Sequence, residues 1–280
     1  MKDFYVTNAR GEKEPFSISK IKKSARRIGA SQKVAREIAK IIEKKAYPGI
    51  KTSDIAKEIK RFLSLENPKF TLKFRLKEGM RKLGPTGFPF EKYIGEIFSN
   101  NGFEVKLNQQ IRGACCSYEI DFTAKKNKVL YIGECKYRNL PGEKIDFTVG
   151  LEHFARCFDI QDGPFLKRKI NKRIKLKPLI ATNTKFTSRM KKYAKCAQIE
   201  LLGWRYPEEK SLEMLIDRQK LYPITVLPSL KSFLIDFFVE KGMMLAKDVL
   251  NINPEKFTKE SNMPFKYISP LIKEAKLLLE

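Results

Sequence analysis

The chain has 280 residues, and its 57 Lys and Arg against 32 Asp and Glu give a formal net charge of +25 at a hydrophobic share of 42%. That length allows two or three domains with cores of their own, and no apolar run approaches a membrane span. The charge excess favours a polyanionic partner, usually nucleic acid, and without a long apolar run no membrane partner is expected. The opening residues lack the apolar core of a signal peptide. The five cysteines (Cys115, Cys116, Cys135, Cys157, Cys196) have no metal-ligand or redox spacing, and His153 is the single histidine. Reduced and mostly buried thiols in a cytoplasmic protein without zinc are therefore expected, with His153 structural.

Residues 1–86 read as one unit. A strand over 4–7 turns at Gly11 and returns toward Phe16. Basic helices follow near 19–28 and 31–45, the second with Val34, Ile38, Ile41 and Ile42 on one stripe and Ser31 as N-cap. Thr52-Ser53-Asp54 caps a third helix, and a fourth helical segment spans 67–83. The run Gly84-Pro85-Thr86-Gly87-Phe88-Pro89 breaks helices and marks a boundary. The order of Val6-x-x-x-x-Gly11, Glu14-Pro15-Phe16, a helix opened by Lys20-Ile21 and a Thr52-capped helix resembles the ATP-cone, over residues 3–83. The resemblance implies a small regulatory domain binding ATP or dATP, with Lys20 and Thr52 at nucleotide-contacting positions. Where that family usually has Lys-Arg-Asp-Gly, this chain has Asn8-Ala9-Arg10-Gly11, which leaves Arg10, with Lys22 nearby, to meet the phosphates. The alternative is an ATP-cone scaffold that no longer binds nucleotide.

Residues 87–222 read as a mixed α/β unit: a helix from Pro89 to about 99, a strand from about 102, and then a hairpin. Its strands carry Glu119 and Asp121 on one side of the polar loop 125–128, and Glu134 and Lys136 on the other. Side chains alternate along a strand, so each pair shares a face. A tight turn sets Glu119 roughly opposite Glu134, with Asp121 diagonal to it. Carboxylates that close repel unless a cation lies between them, and hard oxygen donors suit Mg²⁺ or Mn²⁺. The opposite face of the second strand (Val129, Tyr131, Gly133, Cys135) is expected to pack inward. The bland alternative is a hairpin with one solvated charged face. Beyond it come a helix capped by Asp146 with Phe147, Leu151, Phe154 and Phe158 on one stripe, a strand over 179–182, a helix over 187–197 and a strand over 199–204.

Glu91, Glu119-Ile120-Asp121, Gly133-Glu134-Cys135-Lys136-Tyr137, Arg156-x-x-Asp159-Ile160, the run Ala181 to Phe186 and the run Leu202 to Pro207 together resemble the PD-(D/E)xK nuclease superfamily. Within it they are similar to the branch near modification-dependent restriction endonucleases that carries an N-terminal ATP-cone. Tyr118 and Arg138 stand where relatives often have His. The resemblance implies an αβββαβ restriction-endonuclease-like core and a metal-dependent DNA endonuclease, with a homodimer to cut both strands. It implies Asp121 and Glu134 as metal ligands and Lys136 as the residue that orients water or stabilises charge on the phosphate. Glu91 is implied as a water-mediated contact and Glu119 as an outer carboxylate. Glu91 at the start of a helix also simply complements the helix dipole.

The stretch 167–177 holds Lys167, Arg168, Lys169, Lys172, Arg173, Lys175 and Lys177 with no acid, and reads as a loop that neutralises backbone phosphates. Residues 223–280 read as a small helical module, faintly similar to helix-hairpin-helix repeats, with Asn262-Met263 where a Gly-rich hairpin is usual. The whole is expected to be an α/β multidomain protein. The readings that compete with a nuclease are a catalytically inactive nucleic-acid-binding protein and a nucleotide-sensing regulator.

Overall fold

The computed structural model describes residues 4–84, 89–169 and 174–280, the side chains at 167–169 excepted. Most of the boundary expected at 84–89 and most of the basic side chains between 167 and 173 thus lie outside the described residues. The protein is mixed α/β, with a five-stranded sheet and many helices. It divides into two compact units: Met1–Met80 with Ile224–Lys231 and Ala246–Glu280, and Arg81–Pro223 with Ser232–Leu245.

The first unit opens with the hairpin β1 (Tyr5–Thr7) and β2 (Lys13–Pro15). Helices α1 (Ile18–Arg27) and α2 (Gln32–Lys45) are capped by Ser17 and Ser31, whose hydroxyls accept the N–H groups of Lys20 and Val34. On α2 the buried set is Ala35, Ile38, Ala39 and Ile42, so the stripe lies one position away from Val34 and Ile41. Helix α3 (Thr52–Glu66) has Lys51 at its N-cap and no side-chain capping bond, so Thr52 opens the helix without capping it. The expected fourth helix is two: α4 (Pro68–Phe74), capped by Asn67, and α5 (Leu76–Lys82), parted at Arg75.

In the second unit, α6 (Phe90–Asn100) precedes β3 (Glu104–Arg112), β4 (Ser117–Lys126) and β5 (Val129–Lys136). After the short β6 (Lys144–Ile145) come α7 (Phe147–Asp162), α8 (Pro164–Lys169), β7 (Lys175–Thr182), β8 (Lys185–Phe186), α9 (Ser188–Cys196), β9 (Glu200–Leu202) and α10 (Leu212–Gln219). The sheet order is β3-β4-β5-β7-β9; β3 to β5 are antiparallel, and β5, β7 and β9 run parallel. Strand β7 begins at Lys175, so Lys175 and Lys177 belong to the sheet and not to a loop.

Central β5 is covered on both faces. Leu130 and Ile132 join a core with Cys157 and Ile160 of α7, while Tyr131 meets the rings of Phe98 and Phe103 on the other side. The face of Glu134 is therefore not a wet one. Helix α7 buries Gly150, His153, Cys157 and Ile160, whereas Leu151 and Phe158, expected in the core stripe, are 42% and 61% exposed. Asp146 sits at its N-cap but accepts the Thr187 hydroxyl instead of a helix N–H.

The start of the expected C-terminal helical module is mostly irregular, with one short turn at Ser232–Leu234 before α11 (Ile235–Glu240). Helices α12 (Pro254–Ser261) and α13 (Ser269–Leu279) follow in the first unit. Asn262 ends α12 in the left-handed region, φ 54°, where Asn is one of the few tolerated residues. Among the described residues no helix is long and apolar enough to cross a membrane.

Candidate active site

The β4–β5 turn is two residues, Asn127-Lys128, with Asn127 at φ 54°, the conformation a tight hairpin turn demands. Lys126 therefore faces Val129, and the ladder runs to Phe122 opposite Gly133. Carried one step further, that register sets Asp121 against Glu134 and moves Glu119 toward Lys136, a two-residue correction to the expected pairing. The ladder ends there because Asp121 Oδ2 takes the Cys135 N–H at 2.6 Å in place of a backbone carbonyl.

A second irregularity lies on the same strand. Leu107 and Phe122 pack against Gly95 and Phe98 of α6, yet Ile111 and Ile120, of the same strand parity, lie in the α7 core. The face presented to α7 changes across Asn108, at φ 49°, and Asp121. Opposite Phe122, Gly133 leaves room for that ring, with which any side chain there would collide.

Glu134 is 5% exposed and is the most enclosed carboxylate of the group. Oε1 is paired with the Lys136 ammonium and Oε2 accepts from Arg156 at 3.1 Å. His153 Nδ1 lies 3.9 Å from Oε2. The His153 Nε2 is 3.0 Å from the Ile132 carbonyl, which can only accept, so the proton sits on Nε2. Burial depresses the imidazole pKa, leaving a neutral ring whose Nδ1 has no hydrogen-bond partner. His153 and Arg156 are thus site residues that the sequence reading left as structural or as part of a motif. Their only signal was the three-residue spacing that puts both on the sheet-facing side of α7.

Burial raises the Asp121 pKa, the Cys135 N–H works against that, and the negative charges of Glu134 and Glu91 add to the rise. Glu91, in the first turn of α6, is close enough to act on both Asp121 and Cys135. Glu119 is exposed on β4, paired with Gln110, and is not among the groups that act on Asp121. The structure therefore gathers Asp121, Glu134, Lys136 and Glu91, and leaves Glu119 aside.

Behind Lys136 the main chain is clamped. The Thr182 hydroxyl donates to the Lys136 carbonyl at 2.6 Å, and Asn183 exchanges two bonds with the Arg138 backbone, 2.9 and 2.7 Å. Both polar side chains are buried, 0% and 3% exposed. At the β3–β4 turn, Asp159 accepts the N–H groups of Cys115 and Cys116, whose thiols are exposed rather than buried as expected, and these bonds hold its pKa at about 2.

No group of three or more His, Cys, Asp or Glu among the described residues is already arranged around a metal position. The donor set nonetheless fits a hard divalent ion, because Mg²⁺ keeps most of its waters and takes only one or two carboxylates. Crowding of like charge on Asp121 is the condition a cation relieves. Lys136 would have to leave Glu134 for the ion to enter.

In the first unit, Lys20 and Thr52 line one mainly apolar cavity of about 190 Å³, together with Val6, Ile21, Ile55 and Phe74. Lys20 is paired with Glu14 at 3.0 Å. Arg10 lies on the β1–β2 turn and does not line the cavity.

The C-terminal family described as AF1548-like matches residues 222–279. An uncharacterized protein of Archaeoglobus fulgidus is 34% identical over 190 residues, which is 66% of this chain and 99% of that protein. A crystal structure titled as the protein of unknown function AF1548 aligns with a TM-score of 0.55 at 32% identity, covering 68% of this chain and 96% of that one.

Proposed function

This chain belongs to the AF1548-like family, and from its own side chains we propose that it is a metal-dependent nuclease hydrolysing phosphodiester bonds, with DNA as substrate and Asp121, Glu134 and Lys136 at the reacting centre. The observation that carries the reading is the meeting of Asp121 and Glu134 at the point where the β4–β5 ladder opens, with the Lys136 ammonium on Glu134. The order α6-β3-β4-β5-α7-β7 supports a restriction-endonuclease-like core.

Asp121 and Glu134 would hold Mg²⁺ or Mn²⁺, which when bound supplies Lewis acidity at the phosphate and lowers the pKa of water. Lys136, on the same face as Glu134, passes its ammonium to a phosphate oxygen as negative charge builds there. Arg156 stays on Glu134 Oε2 and fixes that carboxylate's rotamer. His153 excludes solvent behind it, and Glu91 contributes negative charge from α6. Thr182 and Asn183 hold the backbone after β5 so that Lys136 keeps its direction.

The first unit is assigned to ATP or dATP, taken at the cavity of Lys20 and Thr52, with Arg10 left to the triphosphate end. A homodimer would place two such centres on one duplex. The reading is tested by incubating supercoiled and branched DNA with Mg²⁺ or Mn²⁺, with and without ATP, against Lys136→Ala. Metal-dependent nicking that falls by about a hundredfold or more in the variant is the expected outcome. Tight, salt-sensitive binding without cleavage under every condition would reject it.

One observation favours a second reading, a nucleic-acid-binding protein without catalysis. Glu134 is already neutralised by Lys136 and Arg156, so it has less need of a metal. Mn²⁺ binding measured by electron paramagnetic resonance separates the two, since only the nuclease reading requires a site lost in Asp121→Asn.

A further inference from the structure

A cavity of about 530 Å³ opens between α7, α9 and the first residues of β7, wholly within the second unit. It is separate from the candidate active site. Pro178 on its floor pairs with Ile132, whereas Thr182 pairs with Lys136, four residues or roughly 13 Å further along the strands. Its size is that of sites for small ligands.

Leu176, Pro178 and Ile199 make the floor apolar. Phe158 stands at its side with 61% of its surface exposed, which contributes little to the core of α7. Lys175 and Lys195 lie on the rim with no ion pair among the described residues, while Lys177 is taken by Glu200 at 3.0 Å. Lys195, in the last turn of α9, also complements that helix's dipole, which accounts for its charge but not for the ring opposite. The amides of Gln161 and Gln198 complete the polar part. Gln198 sits at φ 55°, where Gly or Asn is the unstrained residue.

An exposed aromatic ring, an apolar floor, two amides and unpaired lysines are the parts of a site for an unstacked base and its neighbouring phosphates. A base inside a duplex is stacked on both sides and cannot enter a concave pocket. We propose that this cavity binds an unpaired nucleotide of single-stranded nucleic acid, its base on Phe158 between the two glutamines and its phosphates on Lys175 and Lys195. The site needs no metal and no cleavage, so it stands or falls separately from the nuclease reading.

The test uses the full chain in EDTA, with fluorescence anisotropy of labelled oligothymidylate and of a blunt duplex of equal length. Phe158→Leu keeps the apolar bulk without the ring and is expected to weaken oligothymidylate binding about tenfold, with duplex binding unchanged within twofold. Phe158→Trp is expected to restore it. Lys195→Glu should lower the affinity and flatten its salt dependence. Wild-type binding by Phe158→Leu, or an equal loss on both nucleic acids, overturns the proposal. So does a change in sedimentation with binding intact, which would make the exposed stripe a protein interface. Should Phe158→Leu not fold, Lys175→Glu and Lys195→Glu read the same selectivity from the rim.

Discussion

Two hairpins of this chain, β1–β2 and β4–β5, put their polar side chains to opposite uses. In β1–β2 the side chains serve the turn itself: Asn8 Oδ1 accepts the N–H groups of Arg10 and Glu12, and its amide donates to Glu12 and Glu14. In β4–β5 the turn is closed by backbone conformation alone, with Asn127 in the left-handed region. The polar groups stand at the other end, where the ladder opens and the Asp121 carboxylate substitutes for a strand carbonyl. Charge near the first turn is exposed and satisfied locally. Charge at the second hairpin's open end is buried, crowded and held by residues far away in sequence, which is how reactive carboxylates are kept.

The largest effect should come from removing that crowding. Asp121→Asn keeps an acceptor for the Cys135 N–H, so the protein is expected to fold, while metal-dependent cleavage falls by about a hundredfold or more. Loss of folding in that variant, read by circular dichroism, would make the carboxylate structural instead. Next in size is the close approach of the Phe122 ring to Gly133 on the neighbouring strand. Gly133→Ala drives a methyl group into the Phe122 ring and is expected to cost about 1–3 kcal/mol in urea unfolding. An unchanged midpoint would mean that the ring can withdraw.

Much of this hairpin was legible in the sequence, and its register was not. Alternation placed Glu134 and Lys136 together, and the polar stretch 125–128 announced a turn. Reading all four residues as the loop paired Glu119 with Glu134. The actual two-residue turn shifts the pairing by two and brings Asp121 there. A single Asn-Lys pair is a weak turn signal next to Asn-Gly, so the sequence alone did not choose. Helix α7 departs from its sequence pattern for a related reason. Its large residues, Leu151 and Phe158, suggest the buried stripe, but the sheet takes His153, Cys157 and Ile160, while Gly150 lies against Met190 and Tyr193 of α9. The contacts of Arg156 and His153 with Glu134 span about twenty residues, and no local pattern encodes them. Capping is readable at Ser31, where one hydroxyl faces one N–H, and not at Thr52 or Asp146.

Asp159 tests whether the β3–β4 turn depends on distant charge as the open end of β4–β5 does. Its carboxyl is held at about 2, below its ordinary 3.8, by the Cys115 and Cys116 N–H groups. A depressed carboxyl stabilises the fold above its unfolded pKa, and that contribution disappears as the pH falls from about 4 toward 2. Thermal melts of the wild type and Asp159→Asn should therefore differ by a constant amount above pH 5 and converge in that window. A gap that persists unchanged to pH 2 would locate the effect in packing instead.

The smallest stability effect is expected at the first hairpin, and it is the more informative for being small. Lys20 and Glu14 form an exposed pair, with side chains 68% and 41% accessible. Such pairs contribute about 0–1 kcal/mol, so Lys20→Ala should barely move the unfolding midpoint. If the cavity beside it takes a nucleotide, the same change removes the cation that reaches the phosphates, and ATP affinity by calorimetry should fall about tenfold. A clear loss of stability would show Lys20 to be a structural element of the hairpin. No loss of either kind, with ATP still bound, would move the nucleotide away from this cavity and toward Arg10 on the turn.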